Sequence, residues 1–196
     1  MTTRLDDAGL DLIFRNARSY NGYTDEPVTV SELHAIWDLA KMGPTSANMS
    51  PARVIWVTTP AAKEKLAALV SETNAAKIRA APVTAIIGMD YAFVEKLPKL
   101  FPHVDARPWF AGNQPLIETS AFRNTTLQGA YLIIAARALG LDTGPMSGFD
   151  NAAVDEAFFA GTPVRSNFIT TLGHGDPATI FGRSPRLDFD EANTII

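Results

Sequence analysis

Gly140-Leu141-Asp142-Thr143-Gly144-Pro145-Met146-Ser147-Gly148-Phe149-Asp150 joins the longest helical pattern of the chain to the next one. Gly140 closes a long helical pattern, and Asp150 is placed to cap the next one. Between them Gly144, Pro145, Ser147 and Gly148 are turn formers with small side chains, which predicts a loop with accessible backbone N–H groups. The same character recurs in Lys41-Met42-Gly43-Pro44-Thr45-Ser46-Ala47-Asn48-Met49-Ser50-Pro51-Ala52-Arg53. That stretch can present hydroxyls, an amide and backbone donors to a polar ligand edge, more than a plain helix-to-strand connector needs.

Working outward, Leu116 to Leu139 reads as the longest helix, apolar around much of its circumference, and so central to the core or to a subunit interface. Before it, residues 91–115 interleave Pro98, Pro102, Pro108 and Pro115 with Phe101, His103, Arg107, Trp109 and Phe110, which predicts an excursion or lid rather than core. Val83 to Met89 and Val54 to Thr58 are continuous apolar runs, predicting strands buried on both faces. Leu33, Ile36, Trp37 and Ala40 follow helical spacing behind a cap at Ser31, and Thr59-Pro60 opens a further helix. Asp6 to Asn16 and Ser71 to Ala81 are also helical, and the latter sets Asn74 and Lys77 on one side of a turn. Arg18 with Ser19 and Asn21 offers a donor fork and short hydrogen-bonding groups, an anion grip or else a solvated loop. Asn167 to Leu172 is a strand ending in Gly173-His174-Gly175-Asp176, which opens no helix and lacks the third glycine of a dinucleotide fingerprint. The tail carries Arg183-Ser184-Pro185-Arg186 and a short helix from Asp188.

Composition narrows the chemistry. The chain has 196 residues and a net charge of −4, with no overall pull toward nucleic acid or an anionic membrane. It has no cysteine, which excludes disulfides, thiolate metal sites and cysteine nucleophiles. No apolar run reaches membrane-spanning length and the N-terminus lacks a signal-peptide core, so a cytoplasmic protein is expected. His34, His103 and His174 share no metal-ligand spacing, and no nucleophile elbow or phosphate loop is present. Chemistry carried by a cofactor is therefore expected. With no repeat or linker, residues 1–196 read as one domain.

Four signals in order and spacing resemble the FMN-dependent nitroreductase family: Arg18-Ser19, the Pro44 to Asn48 loop, the Asn74/Lys77 pair, and Gly144 to Gly148. The stretches from Gly43 to Arg53, Leu100-Phe101-Pro102-His103, and Ala138 to Asp150 resemble its RutE-type branch, the malonic semialdehyde reductases of pyrimidine degradation. Strand–helix alternation alone suggests α/β. The resemblance implies instead an α+β, three-layer fold around a mixed, largely antiparallel sheet, in an intertwined homodimer with FMN at the interface.

By the same resemblance, Arg18, Ser19 and Asn21 hold the FMN phosphate, joined by Arg183 or Arg186. Pro44, Thr45, Ser46 and Asn48 line the flavin pocket from the partner subunit. Asn74 and Lys77 approach the pyrimidine edge, where a fixed cation favours the reduced anion. Pro145, Met146, Ser147 and Gly148 offer backbone donors to the ring face and its N5 edge. The family often carries a further basic residue where this chain has Ala17, which gives the tail arginines more weight. The implied reaction is ping-pong: NADH or NADPH delivers hydride to FMN N5, and a small carbonyl then takes it, with malonic semialdehyde yielding 3-hydroxypropionate. His103, Arg107 and Arg123 are candidate cations for a substrate carboxylate, or else surface charges. The alternatives are a broad nitroarene or quinone reductase, and a non-catalytic flavin binder.

Overall fold

The computed structural model describes residues 4–196. Its centre is a four-stranded sheet ordered β1-β2-β4-β3, made of β1 (Ala52–Val57), β2 (Val83–Asp90), β3 (Asp142–Met146) and β4 (Val164–Gly173). All three pairings are antiparallel. The parallel component is an isolated bridge between Ser19 and Thr143.

Helices cover both faces. The main ones are α2 (Val30–Ala40), α3 (Pro60–Ala67), α4 (Glu72–Ala80), α6 (Gln114–Ala138) and α7 (Asn151–Phe159); α1 (Asp7–Leu10), α5 (Leu97–Leu100) and α8 (Phe189–Ala192) are single turns. Leu33, Ile36 and Leu132 from α2 and α6 pack on Val83, Ala85 and Ile87 of β2. On the opposite face Leu66, Ile78, Val154 and Phe159 from α3, α4 and α7 enclose Ile86 and Ile169. Successive β2 side chains thus serve two cores, which is why that strand reads as an uninterrupted apolar run.

Local signals set most helix ends. Thr59 accepts from the Ala62 amide with Pro60 in the first turn, and Asp150 caps α7 through the Ala153 amide. After α6, Gly140 turns left-handed at φ +80°. The Leu141 amide then reaches back to the Ala136 carbonyl and the Gly140 amide to Arg137, a Schellman closure. This turn sends the chain straight into β3.

The structure corrects several expectations. The cap of α2 is Thr29, not Ser31: Thr29 and Glu32 form a reciprocal capping box. The Asp6–Asn16 helix relaxes after Leu10 into a π-turn over Asp11–Arg15. β1 lies at the sheet edge, and its four central residues are half-exposed rather than buried on both faces. Residues 142–146 are a strand rather than a loop; Pro145, which has no amide to donate, is tolerated because β3 is also an edge. Residues 91–115 wind through short turns, yet Phe93, Leu97, Ala106 and Phe110 are buried with Met49 and Ala121 in a third apolar cluster.

Candidate functional site

The N-terminal turn and the C-terminal tail are distant in sequence and laced together in space. Arg18 Nη2 donates to the Phe181 carbonyl at 2.5 Å, and Asn21 Nδ2 donates to the Thr179 carbonyl at 3.1 Å. In return, Arg183 Nη2 donates to the Arg15 and Ala17 carbonyls at 2.8 and 3.1 Å. Between the two segments lies a cleft of about 320 Å³ whose polar lining includes Arg18, Ser19, Asn21, Arg183 and Arg186. No carboxylate among the described residues lines it, in a chain that is acidic overall. Each guanidinium carries five N–H donors, so Arg18 and Arg183 keep donors beyond those bonded to carbonyls. Arg186 turns Nη1 onto its own Ser184 and Pro185 carbonyls. The cleft suits a phosphate-sized anion.

β3 joins this cleft to the sheet. The Tyr20 amide donates to the Thr143 carbonyl at 3.1 Å, which fixes Ser19 beside the strand. The approach is so close that a Cβ on Gly144 would lie 2.5 Å from the Tyr20 carbonyl oxygen and 2.5 Å from Thr171 Oγ1. Only glycine fits there without displacement. Tyr23 Oη is 2.7 Å from Thr171 Oγ1, and burial pushes the Tyr23 phenol up. Beneath the turn, burial raises the Asp142 carboxyl, while the Gly175 amide at 3.0 Å and the Arg137 charge pull it back.

At the far end of β3 the paired register stops at Met146 opposite Ile169, which leaves the Ser147 and Gly148 amides beyond the ladder. Pro145 is exposed and Met146 half-buried against the second core. Asn74 of α4 donates Nδ2 to the Gly148 carbonyl at 3.0 Å, so α4 is tied to the end of β3. Lys77, one turn further on, is half-buried, and its side chain makes no hydrogen bond or ion pair among the described residues.

The Pro44–Asn48 loop forms a separate group. Its bonds run to α6 and residues 91–115: the Ser46 amide donates to Asn124 Oδ1 at 2.8 Å, and Asn48 Nδ2 to the Leu100 carbonyl at 2.8 Å. Thr45 Oγ1 accepts from the Ser50 amide, and Pro44 is exposed. Ala47, Asn48 and Ser50 hold φ of +47°, +47° and +39°, a strained backbone of the kind that clusters at functional sites. No hydrogen bond among the described residues links this loop to the arginine cleft.

The candidate substrate cations differ. Arg107 is held by a two-pronged bond to Asp105, Nε to Oδ1 and Nη2 to Oδ2, both at 2.8 Å. That guanidinium holds the Asp105 carboxyl down at about 2. His103 packs edge-on to Phe101. Arg123 is exposed on α6 and has no acidic partner among the described residues. Sequence reasoning missed Arg137, Asp142, Tyr23, Thr171, Asn124 and Thr179, since each acts through contacts made only by folding. A basic residue in the last turn of a long helix was the one available hint of Arg137.

A profile described as the nitroreductase family matches residues 14–174. A Burkholderia lata protein provisionally named NADH dehydrogenase/NAD(P)H nitroreductase is 64% identical over 189 residues, 96% of this chain and 97% of its own length. A Stenotrophomonas maltophilia protein of the same name is 60% identical over 195 residues, covering 100% of each. Among solved structures, a provisionally assigned nitroreductase from Exiguobacterium sibiricum in complex with FMN superposes with a TM-score of 0.85 at 20% identity, covering 99% of this chain and 100% of its own. One from Bacillus subtilis gives 0.86 at 18%, covering 97% and 100%. With a profile spanning most of its length and two near-full-length relatives, this chain belongs to the nitroreductase family.

Proposed function

We propose that the protein is an FMN-dependent NAD(P)H oxidoreductase that reduces malonic semialdehyde to 3-hydroxypropionate. The observation that carries the flavin reading is the cleft in which Arg18, Ser19, Asn21, Arg183 and Arg186 converge beside β3. Its donor set fits the phosphate of FMN: planar guanidiniums, a hydroxyl and an amide, with no carboxylate to repel the dianion. Family membership, the names of the relatives and the FMN complex of a structural neighbour point the same way.

FMN supplies a ring position that accepts hydride from NADH or NADPH and gives it up to a second substrate. The chain's own residues bind, orient and polarise. Arg18 and Arg183 would neutralise the phosphate, and Asn74 steadies the Gly148 turn, whose amides beyond the ladder would serve as donors to the ring. Lys77, with no ion-pair partner for its side chain among the described residues, would favour negative charge added to the ring. Charge and mass balance when NAD(P)H, a proton from solvent and the aldehyde give NAD(P)+ and the alcohol.

The Pro44–Asn48 loop reaches the flavin from a partner subunit in this reading, and the protein is a homodimer. An uncovered apolar strip on α6 supports this: Phe122 is 56% and Leu127 45% exposed. Strips of this kind mark interaction surfaces. The single-domain organisation, with residues 91–115 as lid, and a cytoplasmic location belong to the same proposal.

The aldehyde assignment rests on the resemblance of Ala138 to Asp150 to the semialdehyde-reducing branch, and on Arg123 as a cation open to a carboxylate. One observation favours the second reading, a broad nitroarene or quinone reductase. Asp105 already occupies Arg107, and beside that pair Trp109 is exposed and packs on Phe101, an aromatic surface suited to a flat aromatic substrate. Steady-state kcat/KM for malonic semialdehyde against a nitroarene, at matched FMN occupancy, separates the two. A higher value for the aldehyde supports the proposal; turnover of the nitroarene alone selects the second reading.

A further inference from the structure

Arg137 is a charged side chain that the flavin reading leaves without a task. It stands in the last turn of α6, with its guanidinium half-buried. Nη1 donates to the Ile13 carbonyl at 3.3 Å, while Nε is buried with no partner among the described residues. Burial pulls the guanidinium down; the charge of Asp142 opposes that, and the like charge of Arg183 adds to it. Such an arrangement costs stability, and a neutral residue of similar shape would avoid the cost.

What Arg137 touches indicates its use. Ile13, Arg15 and Ala17 lie at the end of the N-terminal helix, where carbonyls lose their following amides. Arg137 caps Ile13 from α6, and Arg183 caps Arg15 and Ala17 from the tail. The next residues are Arg18 and Ser19, which line the cleft. Two guanidiniums of like charge therefore pin the segment that leads into the anion site. An anion held by Arg18 and Arg183 would relieve their repulsion.

We infer that Arg137 is a positioning residue of the phosphate cleft: it pins the end of the N-terminal helix so that Arg18 and Ser19 face the anion. The inference rests on the FMN reading. Its effect is confined to ligands that bear the phosphate, a signature that a general packing role would not give.

The test compares FMN with riboflavin, which lacks the phosphate, by flavin fluorescence titration of wild type, R137Q and R137K. R137Q is expected to raise the Kd for FMN about tenfold, the effect of weakening one charge-assisted contact, with riboflavin within about twofold of wild type. R137K keeps the charge but loses the planar fork, so it is expected to weaken FMN binding only about threefold. Equal weakening of both flavins, or no change for FMN, overturns the inference. Should R137Q not fold, R137K carries the test: about threefold weaker FMN with riboflavin unmoved supports it, and no selectivity overturns it. Failure of the underlying reading looks different. Wild type would then bind riboflavin as tightly as FMN, or neither flavin.

Discussion

Replacing Gly144 with alanine tests how β3 and the N-terminal turn build the anion cleft. The new Cβ would lie 2.5 Å from the Tyr20 carbonyl oxygen and from Thr171 Oγ1, and 3.2 Å from Tyr23 Oη. A comfortable carbon–oxygen contact is about 3.3 Å, so something must yield by roughly 0.8 Å. Thr171 belongs to the inner strand β4 and is fully buried, whereas Tyr20 lies in a half-buried turn joined to the sheet region by isolated bridges at Ser19–Thr143 and Tyr23–Gly175. The Tyr20 segment is therefore the part that moves, and it carries Ser19 and Arg18 with it. Overpacking of this kind costs about 1–3 kcal/mol, and strain on the Tyr23–Thr171 hydrogen bond adds about 1 kcal/mol. Urea unfolding should show a total loss of about 2–4 kcal/mol. FMN titration should show a Kd raised about tenfold, since the arginine contact tolerates little displacement. Gly182 is the control: it lies in the same cleft, and a Cβ there meets nothing within 4 Å. Stability within about 0.5 kcal/mol of wild type and unchanged FMN affinity for G144A would refute the reasoning.

Three further outcomes are expected. K77Q should slow flavin reduction by NAD(P)H about 10–100-fold in anaerobic stopped-flow while FMN affinity holds, because it removes a charge felt mainly by the reduced ring; an unchanged rate would remove Lys77 from the chemistry. Asp142 titrates above its ordinary value of 3.8 because burial disfavours its charge, so its contribution to folding is fullest at low pH and is lost as pH rises through the raised value. Urea midpoints between about pH 4 and pH 7 should therefore fall less, or rise more, with pH in D142N than in wild type, and parallel profiles would contradict this. Phe122→Asp with Leu127→Asp places charge on the exposed strip of α6 and should turn a dimer into a monomer in sedimentation velocity; an unaltered dimer would locate the interface elsewhere.

Local chemistry made some of this architecture legible and left the rest hidden. Thr59-Pro60, Asp150 and Asp188 announce their helices because a cap is a contact within three or four residues. β2 is legible because both its faces are buried. β3 is not, since Gly144 and Pro145 are turn formers by composition, and their extended form comes from β4, which lies beyond α7 in the sequence. β1 reads as more buried than it is, because apolar residues cannot report that one edge of the sheet is open. In the site, residue types offer Arg18, Ser19 and Asn21 as an anion grip and the family resemblance adds the tail arginines, but the lacing of residues 15–22 to residues 176–183 is a matter of tertiary contact. The positive φ at Ala47 and Ser50 has no signature in those residue types. Between the two sequence readings of Arg107, substrate cation or surface charge, local sequence does not choose, and the structure pairs it with Asp105 two residues away.

Sequential-mixing anaerobic stopped-flow on the FMN-loaded protein tests directly whether it reduces malonic semialdehyde. NADPH or NADH first bleaches the flavin absorbance, and malonic semialdehyde is then mixed in beside a parallel shot of a nitroarene. The account predicts that the oxidised-flavin absorbance returns faster with the aldehyde, and that 3-hydroxypropionate forms in equal amount. Flavin that stays reduced in the aldehyde but is reoxidised by the nitroarene would contradict it.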